Sequence, residues 1–149
     1  MYIAYEELDD QLKNKITGLT VTHSHDHILS LSNDLHRRQN RGEYTKLPPV
    51  AHPLVRIHPE TGKPSLFLSP HTMTGIVELP GQQGITLLDA LIAHATQDRF
   101  VYHHRWQPHD VVMWDNRCTM HAVTPFDNQT QRRIMHRTTI VGDEAPIAA

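Results

Sequence analysis

Three side chains between Val111 and Val141 stand out for the chemistry they could do: His121, Arg133 and Arg137. If the chain from Arg132 onward is a strand, successive side chains point to opposite faces. Arg133 and Arg137 then share a face with Met135, Thr139 and Val141, while Arg132, Ile134, His136, Thr138 and Ile140 take the other. Along a strand the two arginines stand roughly 13 Å apart, a separation that suits two different anions better than one. A guanidinium is the preferred fork for a carboxylate or sulfonate, because it donates two parallel hydrogen bonds. Two arginines solvated on an exposed sheet face would give the same pattern, and parity alone leaves both readings open.

The elements that would position these groups are legible nearby. Val111-Val112-Met113-Trp114 is a short apolar run of the kind that predicts a strand buried on both faces. Asp115-Asn116-Arg117 interrupts it with polar groups that need partners, and His121 follows. Pro125, Asp127 and Asn128 supply turn residues, and from Arg132 the chain is again rich in Ile, Thr and Val. Two strands joined by a long turn are expected.

Trp114-Asp115-Asn116-Arg117, Thr119, His121, Gln131-Arg132-Arg133 and His136-Arg137 together resemble the C-terminal signature of the taurine/chlorophenoxyacetate dioxygenase family (TauD/TfdA). These are non-haem Fe(II), 2-oxoglutarate-dependent oxygenases. The resemblance continues in Phe100–Trp106 (FVYHHRW), His52–Gly62 (HPLVRIHPETG) and Ala4-Tyr5-Glu6-Glu7-Leu8, in family order, and so covers nearly the whole chain. It implies a mainly β fold with covering helices, the double-stranded β-helix or jelly roll, with Fe(II) and 2-oxoglutarate bound in its mouth. It implies that His121 is the distal iron-binding histidine of a two-histidine, one-carboxylate facial triad. Asp115, Asn116 and Arg117 become candidates for orienting that imidazole. Arg133 corresponds to the arginine that pairs with the distal carboxylate of 2-oxoglutarate. Arg137 corresponds to the one that binds the acidic group of the primary substrate. The implied reaction hydroxylates a small carboxylate or sulfonate with dioxygen while 2-oxoglutarate is converted to succinate and carbon dioxide.

In one respect the chain departs from the family. The family's His-x-Asp, which supplies two of the three iron ligands, lies before the segment that Met1–Tyr5 resembles, as does a threonine that helps bind oxoglutarate. Nothing here replaces them at a matching position. The expectation is therefore a single domain over residues 1–149 that is the C-terminal portion of a longer dioxygenase, with an incomplete jelly roll. A lone imidazole holds Fe(II) poorly, because affinity comes from several ligands fixed together. Unpaired sheet edges would favour homo-oligomers. Two other classes fit the same residues. One is a non-enzymatic module that keeps an anion pocket at Arg133 and Arg137 or pairs with a chain that completes the barrel. The other is a histidine-rich zinc protein centred on His23, His25 and His27.

Composition narrows the field. A chain of 149 residues suits one domain, burying roughly 68–70% of its unfolded surface. A net charge of -2 makes no electrostatic case for nucleic acid or an acidic membrane. No apolar run approaches the roughly 18 residues of a membrane span, and no signal-peptide pattern opens the chain. The single cysteine, Cys118, cannot form an internal disulfide, which makes a reducing cytoplasm the default expectation.

Upstream, Tyr5, Leu8, Leu12 and Ile16 recur at helical spacing, predicting an amphipathic helix that ends at Gly18. In a helix His23 and His27 would share a face at a zinc-compatible spacing, whereas surface or interhelical positions need no ligand. Ser30–Arg38 could continue a helix, followed by a basic loop at Arg37–Gly42. Leu54–Ile57 and Ser65–Leu68 flank His58-Pro59-Glu60-Thr61-Gly62-Lys63 and read as a hairpin, with a turn histidine at His71. Gly84–Thr96 carries a continuous apolar stripe and reads as a helix of about three turns covering a sheet. Phe100–Trp106 alternates like a strand, and Gln107–Asp110 reads as a turn.

Overall fold

Thr20-Val21-Thr22-His23 alternates half-buried threonines with two buried residues, and this β-branched run forms the central strand of a sheet. The computed structural model describes residues 1–31, 47–127, 129–142 and 145–149. Along it run helices α1 (Tyr2–Glu6) and α2 (Asp10–Ile16), strand β1 (Thr20–His23), helix α3 (His25–Leu31) and strands β2 (Val50–Pro53), β3 (Val55–Ile57), β4 (Pro64–Leu66) and β5 (Met73–Ile76). Helix α4 (Gln82–Ala95), a 3-10 turn at Asp98–Phe100 and the short strand β6 (Ile147–Ala148) complete it.

The strands form two antiparallel sheets, in the orders β2-β1-β5 and β4-β3-β6. A single residue, Leu54, separates β2 from β3. Its N–H donates to the Leu19 carbonyl at 2.9 Å and its own carbonyl accepts from the Phe67 N–H at 2.8 Å, so the chain passes directly from one sheet into the other. The β3–β4 hairpin sets Val55 opposite Leu66 and Arg56 opposite Ser65.

Apolar side chains from both sheets and the helices meet in one core: Ile16, Val21, Leu54, Val55, Leu66, Ile76, Leu88 and Leu91 are among its buried members. Helix α4 reaches it because Leu87, Leu88, Leu91 and Ala95 fall on one stripe. At Gly84 the helix passes so close to the preceding loop that an added Cβ would meet the Leu79 carbonyl oxygen at 2.2 Å. His94 Nε2, at 2.7 Å from the Ala4 carbonyl, ties α4 to α1.

Beside this core lies a polar stack. The His23 ring packs against His52 and Phe67, with centroids 5.5 and 5.3 Å apart, and the Arg56 guanidinium lies over the other partner, Phe67, at 3.9 Å. His23 Nδ1 is 2.7 Å from Thr72 Oγ1, while its Nε2 is buried without a partner. Burial, reinforced by His52 and its charge, pushes the His23 imidazole down to about 4.

The expected jelly roll is not what this chain forms. Its fold is mixed α/β, with two small open sheets and several helices. Phe100–Trp106, Val111–Trp114 and Arg132–Val141, all expected as strands, contribute no rung to either ladder. Val111 and Met113 are 93 and 90% exposed instead of buried, and Ile140 is 94% exposed. An apolar or alternating run marks residues able to lie in a sheet. Becoming a strand also requires a neighbour to take the backbone N–H and C=O groups and a face to bury, and these segments are given neither. The first predicted helix is divided, because the Asp9 carboxylate accepts from the Leu12 N–H and caps a new start. The hairpin at 54–68, the helix at 84–96 and the turn at Gln107–Asp110 form where expected. The helical continuation to Arg38, the Arg37–Gly42 loop and Asn128 lie outside the described residues. Among the described residues no helix is long and apolar enough to cross a membrane.

Two outcomes follow from this packing. Leu91→Ala empties a fully buried site where α4 meets the core, and should cost about 2–5 kcal/mol of unfolding free energy in urea titrations. Between the ordinary 6.5 and the native value of about 4, the unfolded chain binds a proton at His23 that the folded chain refuses. Stability should thus fall as pH drops through this window, and His23→Phe should flatten the slope by at most about 1.4 kcal/mol per pH unit.

Candidate functional site

Asp115 and its neighbours are held by the β3–β4 hairpin although they belong to no sheet. Arg56 on β3 is only 8% exposed. Its Nε donates to the Arg117 carbonyl at 2.5 Å and its Nη2 to the Asn116 carbonyl at 3.0 Å. The cation is thus met by two carbonyl dipoles and the face of Phe67. Burial nevertheless pulls its proton affinity below the ordinary arginine value.

The Asp115 carboxylate gathers a second set of contacts. It accepts from the Arg117 N–H at 2.7 Å, from Arg117 Nε at 3.1 and 3.0 Å and from Nη2 at 2.8 Å, and lies 3.0 Å from His58 Nε2. The Arg117 side chain first, with His58 assisting, holds the Asp115 carboxyl well below the usual carboxylate range. Arg117 in turn is raised by Asp115 and also reaches Glu60 at 3.4 Å. The Asp115 carbonyl accepts from the Cys118 N–H at 3.3 Å and from Thr119 Oγ1 at 2.5 Å, closing a turn.

His58, Asp115 and Cys118 present ligand atoms all within 4.8 Å of one another, the one such trio among the described residues. The donor chemistry argues against a metal there. The Glu60 N–H points at His58 Nδ1 at 3.2 Å, so that nitrogen must accept and the ring proton sits on Nε2, donated to Asp115. Both imidazole nitrogens are committed, and the carboxylate is saturated by Arg117. This trio is a hydrogen-bonded knot. It also excludes His121, so the described residues do not assemble the two-histidine, one-carboxylate set that Fe(II) of this chemistry requires.

His121 is exposed, its ring 4.8 Å from that of Trp114 at 52°. Arg133 and Arg137 are exposed on backbone that belongs to no helix or strand and make no hydrogen bond or ion pair among the described residues. A cavity of about 280 Å³ lies between Arg56, Glu60, Arg117 and Pro146, and His121, Arg133 and Arg137 are not among its lining residues. The histidine trio of the zinc reading is divided: His23 is buried on β1 and His25 and His27 lie on α3, and they form no group of three donors.

A family model described as taurine catabolism dioxygenase TauD, TfdA family matches residues 1–139. The chain belongs to this family. Its similarity to the (S)-phenoxypropionate/alpha-ketoglutarate-dioxygenase of Sphingobium herbicidovorans is 40% identity, over 97% of this chain and 51% of that protein. The alpha-ketoglutarate-dependent 2,4-dichlorophenoxyacetate dioxygenase of Burkholderia sp. (strain RASC) is 37% identical over 95% of this chain and 46% of its own length. Among solved structures, that of AAD-2 in complex with Mn(II) and N-oxalylglycine shares 38% identity and a TM-score of 0.77, covering 99% of this chain and 54% of that one. The chain thus spans about half the length of the family members it matches.

Sequence reading missed Arg56, His58 and Phe67 as site-shaping groups. The signal was present: a basic and an aromatic residue stand at apolar positions of a hairpin otherwise rich in Val, Leu and Ile, where a buried polar group must have partners. A test of the knot uses pH. A carboxyl depressed in the folded state adds stability that is in place above its ordinary 3.8 and is lost as pH falls through the native value. Asp115→Asn should therefore lower the urea midpoint at neutral pH, and the gap to the parent chain should narrow steadily under acid.

Proposed function

We propose that these residues contribute one part of the centre of a 2-oxoglutarate-dependent dioxygenase: His121 as an iron ligand, Arg133 as the fork for the distal carboxylate of 2-oxoglutarate, and Arg137 as the fork for an acidic substrate. The observation that carries the reading is the family match over residues 1–139, which contains all three. The remaining iron ligands are assigned to polypeptide outside the described residues, since the chain covers about half of its relatives and among the described residues His121 joins no group of three donors. Bound iron would supply dioxygen chemistry; what this chain supplies is an imidazole and two positive charges.

The substrate class follows from the forks and from the relatives. Proteins named for phenoxypropionate and 2,4-dichlorophenoxyacetate act on carboxylates, and a putative sulfonate dioxygenase of Schizosaccharomyces pombe is 36% identical over 95% of this chain. A small organic carboxylate or sulfonate is the proposed substrate. The apolar side chains left in solvent along 111–114 and 134–141 support the same division, since they need a covering surface.

The chain by itself should take up Fe(II) well below one equivalent and form little succinate from 2-oxoglutarate. Supplied with a segment carrying His-x-Asp, it should turn over. Arg133→Ala should then raise the KM for 2-oxoglutarate by roughly ten- to a hundredfold, the loss of a charged hydrogen-bonded pair. Arg137→Ala should instead raise the KM for the acidic substrate. Tight equimolar iron with turnover by the chain alone would overturn the division of ligands.

A further inference from the structure

We infer that Arg56 is the positioning residue for the His121 imidazole, acting across the chain from β3; the proposal rests on the reading of His121 given above. The segment from Trp114 to His121 belongs to no sheet, so its path is not fixed by ladder hydrogen bonds. The carbonyl side of its Asn116 and Arg117 peptides is held by Arg56, whose fork takes both at once, while Asp115 holds their N–H side. From Asn116 the coupling continues through its side chain: Trp114 Nε1–H donates to Asn116 Oδ1 at 2.9 Å. The indole so held is the surface against which the His121 ring lies, 4.8 Å away. Arg56 itself cannot swing, because its guanidinium is laid on Phe67 and buried, and the Phe67 N–H is tied to Leu54 at the junction of the sheets.

The chemistry of the fork makes the inference specific. A guanidinium donates to two carbonyls of successive residues in two fixed directions, whereas an ammonium donates from one rotating point and fixes neither direction. Charge alone would leave the two carbonyls to swing about the anchors that Asp115 gives the Arg117 and Cys118 N–H groups, and the indole with them. His58 holds the same turn from its other side, through the Asp115 carboxylate rather than through the backbone.

The test reads geometry directly, without metal or turnover. In the full chain, nuclear Overhauser contacts between the Trp114 indole and the His121 ring are compared in the parent, Arg56→Lys and Arg56→Met. The Trp106–His104 ring pair, 4.6 Å apart and far along the chain from Arg56, serves as the internal control. Both variants should lose the Trp114–His121 contacts and shift the Trp114 indole N–H resonance, with core methyl resonances and the control pair unchanged. Retention of the contacts in a folded Arg56→Lys chain would overturn the role of the fork. Their retention in Arg56→Met would overturn positioning altogether; if that variant does not fold, Arg56→Lys decides alone. Should the contacts be lost while the enzyme assembled with its His-x-Asp segment binds iron as tightly with His121→Ala as without it, positioning stands and the ligand role of His121 fails.

Discussion

A charged group buried among carbonyls is what gives the C-terminal half of this chain a defined course. Beyond α4 the described residues form only the 3-10 turn at Asp98–Phe100 and the two-residue strand β6, so most of that half must be held by side chains reaching from elsewhere. Arg56 meets this need because a guanidinium taken out of water has to find acceptors, and the two it finds belong to the segment that carries Trp114 and Asp115. The Asp115 carboxylate answers from the other direction, with His58 and Arg117. Exposed ion pairs of this kind contribute little singly. Here the carboxylate, the imidazole and two guanidinium groups constrain one another, and the turn from Asp115 to Thr119 is closed as a result.

Much of the first half was legible because its signals are local. A turn-forming run between two short apolar segments is enough to predict the 54–68 hairpin, and a continuous stripe of Leu and Ile is enough for α4. Where the reading erred, the missing information was not local. Val111–Trp114 and Arg132–Val141 have the composition of strands, but a strand is a relation between two segments, and composition does not say whether the second is present. The division of the first helix at Asp9 has a different origin: a capping carboxylate outcompeted an apolar periodicity that ran straight through it. Of the candidate site, the residue types at 115–121 were readable, while the partners that fix them sit some sixty residues earlier.

Family membership and architecture agree once the share of each relative is considered. Nearly all of this chain follows the path of a solved relative, and that relative has about as much again beyond it. The open sheets are thus a property of these residues taken together. Arg133 and Arg137 illustrate this. On a strand their shared face would be set by parity, whereas on unpaired backbone each is free to choose its own direction.

The single residue between β2 and β3 has a further consequence. Because Leu54 gives its N–H to one neighbour and its carbonyl to another on opposite sides of the junction, no slack separates the two sheets. Neither can fray or shift register while its companion stays in place, so heat or denaturant should meet them as one cooperative block instead of two. The histidine-lined stack and the arginine that anchors the turn at Asp115 lie on either side of that joint, and they should hold or be lost as a unit.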